Sequence, residues 1–207
     1  MLLHLPHVLG TVNYNMSDYA LGTALTVTSI VFCCALVTDL CHQRIPNKLC
    51  LLALLFGLAL QTGFGQWQGL LIACYGAGLA LLLLLPAFYF RLLGAGDVKL
   101  MVGVGALVGP QLLIWSLAYG IIFGVVTSIL LATVKVGWPG IKETAIRYYH
   151  CFYLREYFKP DINEAAAQRV PYAPALALGW LLACYLNPQV NTLYITLSYQ
   201  IRTWIYL

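Results

Sequence analysis

The sequence predicts an all-α polytopic membrane protein with about six transmembrane helices. Three observations lead there. Of 207 residues, 61% are hydrophobic and 9% are charged, whereas soluble domains carry about 25% charged residues. Mean hydropathy is +0.83. Apolar runs of helical length recur along the chain, separated by short polar links. The whole chain, 1–207, reads as a single membrane domain, with no room for a large soluble unit.

The spans are expected, in order, at 20–37, 49–64, 69–90, 98–108, 112–134 and 172–186. Asp18 precedes the first and is placed to cap it. "IPN", residues 45–47, breaks the chain before the second, because Pro46 biases Ile45 away from helix. The fourth span is short and opens at Asp97. With its flanks it covers roughly 20 Å of an approximately 30 Å hydrocarbon core. Its end therefore lies below the membrane surface, where water or polar protein must reach it. Gly103, Gly105 and Gly109 give that span a small face for close packing.

Six spans sort the basic residues onto two sides. Arg44, Lys48, Arg91, Lys99, Lys135, Lys142, Arg147, Arg155, Lys159 and Arg169 fall on one, and only Arg202 on the other. The rich side is expected to be cytoplasmic, with both termini outside. The net charge of +4 is then loop charge that sets orientation and implies no nucleic acid. The loop 135–170 is the one sizeable cytoplasmic piece. It mixes bases with Tyr and Phe, and reads as a lid lying on headgroups or as a partner site. The tail 188–207 reads as an interfacial segment or a seventh, short insertion. Seven cysteines form no C-x-x-C and no zinc-like cluster, so neither a metal nor a disulfide framework is expected.

Acids are few: Asp18, Asp39, Asp97, Glu143, Glu156, Asp161 and Glu164. The last four lie in the large loop. Asp39 ends the first span in "TDLCHQRIPN", and Asp97 begins the fourth in "GAGDVKLM". Two spans carry the chain out and back between them, so both carboxylates are expected on one side at similar depth. Gly94 and Gly96 permit a sharp turn into the fourth helix. Two close carboxylates do not both ionise easily, so the pair shares a proton. One then activates water while the other polarises a carbonyl, without metal or cofactor. Alternatives with the same residues are a helix cap, a carboxylate-dependent proton or ion transporter, and a non-catalytic scaffold. Lys99 and Arg44 read first as inside-positive anchors.

The two motifs above, followed by "RVPYAPALALG", resemble the type IV prepilin peptidases, a family of G-x-G-D aspartic proteases of the membrane. The likeness runs from about residue 20 to 186. It implies that Asp39 and Asp97 are catalytic. It implies supporting roles for Gly94, Gly96, Lys99, Ile45, Pro46, Asn47, Pro171, Tyr172 and Pro174. It implies a prepilin or pseudopilin substrate whose basic leader is cut at the cytoplasmic face of a bacterial inner membrane. The large bifunctional members carry a C-x-x-C insert and methylate the product. This chain has neither, resembles the minimal members serving Flp-type pili, and is expected to cleave only. The presenilin and signal-peptide-peptidase branch shares G-x-G-D and a P-A-L element, matched here by Pro174, Ala175 and Leu176. It is the second choice within the enzyme class.

Overall fold

A computed structural model describes residues 18–42, 44–89, 93–135, 137–154 and 172–205. Expectations placed on Arg91, Arg155, Glu156, Lys159, Asp161, Glu164, Arg169 and Pro171 lie outside the described residues. The elements are α1 (Asp18–His42), α2 (Asn47–Tyr89), α3 (Ala95–Lys135), α4 (Gly137–Leu154), α5 (Ala173–Leu186) and α6 (Pro188–Ile205). No strand occurs among the described residues. Helices α1, α2 and α3 are each long and apolar enough to cross a membrane, and α5 is a shorter apolar helix. The chain is an all-α, multi-pass membrane protein.

Two of these helices are folded back on themselves. α2 breaks at Gln66, with φ 50° and ψ −131°, and α3 at Gly109, with φ 76° and ψ 177°. In a straight helix residues 61 and 69 would stand about 12 Å apart. Instead Gly69 packs directly on the Gln61 carbonyl. Gly109 adopts a conformation essentially reserved for glycine. Pro110 follows it at a helix start, where the missing N–H costs nothing. The arms 47–65, 67–89, 95–108 and 110–135, with α1 and α5, account for the six expected apolar segments.

Contacts fix the direction of each arm. Lys99 meets Asn47, Gly103 lies on Ala53, and Gly57 lies on Ala106, so arms 47–65 and 95–108 run parallel. Gly76 of the returning arm packs on the backbone of Gly105 and Gly109. Without a hydrophobic drive between helices in lipid, such close backbone approach supplies the packing. Arm 110–135 runs antiparallel to α5, with Gly179 against Ser116 and Gly120, and Gly124 against Tyr172. Antiparallel to α5 runs α1, through Phe32 stacked on Trp180 at 5.8 Å.

Arm 95–108 is the centre of the bundle. Val98, Leu100, Met101, Val104, Ala106, Leu107 and Val108 are all buried. Its end needs help, because the break at Gly109 strips the last carbonyls of their helical donors. Gln61, fully buried, donates its Nε2 to the Leu107 carbonyl at 2.8 Å. By contrast α1 touches the bundle through one stripe: Ala20, Ala24, Thr28, Val31, Phe32, Ala35 and Asp39. Thr23, Thr26, Ile30, Cys33, Cys34 and Val37 of its other faces are exposed.

Candidate active site

The same counting of arms brings four chain ends together. The last turn of α1, the start of α2, the start of α3 and the start of α5 share one end of the bundle. Asp39 and Asp97 are both there, 7% and 8% exposed, which is little for side chains of this type. They lie within electrostatic reach of each other.

Each carboxylate is held by a backbone amide. The Ala173 N–H donates to Asp39 Oδ2 at 3.3 Å. Ala173 is the first residue of α5, so its amide is one of the orphan donors of a helix start. At the start of α3 the Gly94 N–H donates to Asp97 Oδ2 at 3.3 Å, and the Val98 N–H donates to the Gly94 carbonyl at 3.3 Å. Asp97 thus reaches back across the first turn, as the acidic member of a capping box does. Among the described residues these are the polar partners of the two carboxylates.

The turn before α2 closes the site from the side. Arg44, Ile45 and Pro46 are non-helical, and the Leu49 N–H donates to the Pro46 carbonyl at 3.0 Å to start the helix. Ile45 packs on Gly96, where a β-carbon would stand 3.2 Å from that of Ile45. A methyl group there would have to displace Ile45 by a few tenths of an ångström. Lys99 Nζ donates to Asn47 Oδ1 at 3.1 Å, tying the starts of α2 and α3. Its ammonium is therefore engaged beside the pair, on the exposed rim with Arg44 and Lys48. Tyr172 lays its ring on Gly124, and Pro174 sits half-buried in the first turn of α5.

Thus Ile45, Pro46, Asn47, Gly94, Gly96, Lys99, Tyr172 and Pro174 gather at the end that holds Asp39 and Asp97. Three participants escaped the sequence reading. Ala173 acts through its amide, which has no side-chain signature. Gly124 seats Tyr172, and only its spacing of four from Gly120 hinted at a helix contact. Cys50 lies beneath the site, with Sγ 3.8 Å from the Gly96 carbonyl. No three His, Cys, Asp or Glu side chains converge among the described residues.

No curated protein and no solved structure matches the chain. One family model does, over residues 26–129, half of the chain. That stretch contains both carboxylates, the turn at Ile45 and Pro46, Gly94, Gly96 and Lys99. This membrane protein accordingly belongs to the type IV leader peptidase family, a family of proteases.

Proposed function

We propose that the chain is an aspartic endopeptidase that removes the basic leader of a prepilin or pseudopilin at the cytoplasmic membrane face. The observation that carries this reading is the placement of two nearly buried carboxylates, Asp39 and Asp97, at one end of the bundle within electrostatic reach of each other. Their position at helix ends supports hydrolysis over transport, since transporter sites lie nearer the bilayer midplane.

The chemistry balances with one water and no metal. The ionised carboxylate takes a proton from water as its oxygen attacks the scissile carbonyl carbon. The protonated partner gives its proton to the carbonyl oxygen. The tetrahedral species collapses, the C–N bond breaks, and the leaving amine takes a proton from the dyad. Products are a leader ending in a carboxylate and a mature chain with a new amine. The apolar helix of the substrate lies in the bilayer beside the bundle and holds the scissile bond at the interface. The side rich in basic residues supports a cytoplasmic setting for this end.

The test uses the purified full chain in vesicles with a prepilin-type substrate. Asp39→Asn and Asp97→Asn should each leave the substrate at its precursor mass, with helical content unchanged. Cleavage by either folded variant would refute the proposal. Proton flux lost in the same variants, without cleavage by the wild type, would favour transport.

A further inference from the structure

Helix α4 wears its apolar side outward. Trp138, Tyr149 and Tyr153 are 75%, 67% and 75% exposed, and Ile146 is 45% exposed. At about 100° per residue these four positions share one face. The residues turned inward include Gly140 and Arg147, both buried. A helix resting on a soluble protein has the opposite arrangement, with its apolar stripe facing the core. We propose that α4 lies along the membrane surface at the end of the bundle that holds Asp39 and Asp97. Trp138, Ile146, Tyr149 and Tyr153 sit in the headgroup–acyl boundary of the bilayer.

The placement follows from the fold. Gly124 packs on Tyr172, beside the site, and the arm continues past it to Lys135 before α4 begins. The outer surface of that arm presents Ile122, Val126, Ile129, Leu130 and Val134, all more than half exposed. In a membrane protein that surface faces lipid. Val134, near the end of α3, and Trp138, in the first turn of α4, are 77% and 75% exposed on either side of the bend. Gly137, at φ 72°, sits at the bend between the two helices.

The composition selects the depth. Trp and Tyr combine an apolar body with a polar tip and concentrate at membrane–water boundaries. Lys142 falls on the same face as Trp138 and is exposed. Its stem can follow the apolar face while the ammonium reaches a lipid phosphate. Glu143 and His150 occupy the flank turned toward water. This inference stands apart from the proteolytic reading and survives its failure.

Fluorescence of the full chain in phosphatidylcholine–phosphatidylglycerol vesicles tests it. Subtracting the emission of Trp138→Phe from that of the wild type isolates Trp138. At 75% exposure the substitution removes no internal packing. The isolated signal should be blue-shifted, lose most of its intensity in lipid brominated near the headgroup, and resist aqueous iodide. Quenching by iodide without quenching by brominated lipid would place the helix in water and overturn the proposal. Resistance to both would show a covering protein, such as a second copy, and overturn it equally. Tyr149→Trp in the Trp138→Phe background supplies a second probe. It should report the same depth, and quenching confined to lipid brominated near the methyl end would contradict a helix lying flat.

Discussion

The backbone N–H of Ala173 and the Oδ2 of Asp39 are joined at 3.3 Å across 134 positions of the chain. A carboxylate on α1 is thereby oriented by the start of α5, whose own position is set by Gly179 seated on the backbone of Gly120. Gly179→Ala puts a methyl group into that seam and moves α5 away. Loss of a hydrogen bond to a charged group costs about 1.5–3 kcal/mol, so cleavage should fall roughly 10–100-fold. Turnover of a prepilin substrate measures it, with circular dichroism confirming that the helices persist.

Asp39→Asn and Asp97→Asn should each reduce cleavage by on the order of 100-fold or more, the scale of lost acid–base catalysis. The wild type should show a bell-shaped pH profile. Its acid limb marks protonation of the base member, and its alkaline limb marks loss of the shared proton. Rates of leader release across pH check this. A profile flat on both sides would contradict a proton-sharing pair.

Gln61→Leu keeps the volume but removes the donor to the Leu107 carbonyl, 2.8 Å away. That carbonyl lies two residues before the Gly109 break, where helical donors run out. The variant should be destabilised by about 1–3 kcal/mol. Thermal unfolding in detergent reads the loss. Activity of the remaining folded protein should stay near that of the wild type.

Gln66 occupies a backbone conformation, φ 50° and ψ −131°, that a side chain disfavours. Such positions store on the order of 1 kcal/mol or more. Gln66→Gly should therefore raise the unfolding temperature, whereas Gln66→Val should lower it. Neither should alter cleavage, because the corner is at the end opposite the carboxylates.

Much of this was legible in the order of polar and apolar residues. Counting spans places Asp39 and Asp97 on one side, and Gly105 and Gly109 announce a close helix contact, which proves to be with Gly76. The gap between the fourth and fifth spans marks the corner at Gly109 and Pro110. The gap between the second and third spans likewise brackets the corner at Gln66, although a glutamine gives no hint of its positive φ. The anchor of Asp39 was hidden. Every residue but proline carries an amide, and only the docking of α5 decides that the one from Ala173 is used. Likewise α4 shows an aromatic, basic mixture in sequence, but which face it turns outward depends on how it leaves α3.

The narrow stripe along α1 makes the two carboxylates unequal partners in any rearrangement. Asp97 rides on a strut wedged by neighbours all round, while Asp39 rides on a beam gripped along one edge. Near its far end, Leu193 of α6 lies over Gly22 of that beam. Displacing Asp39 relative to Asp97 would therefore require α1 to give up both its Phe32–Trp180 stacking and the Ala173 amide, while the strut stays clamped.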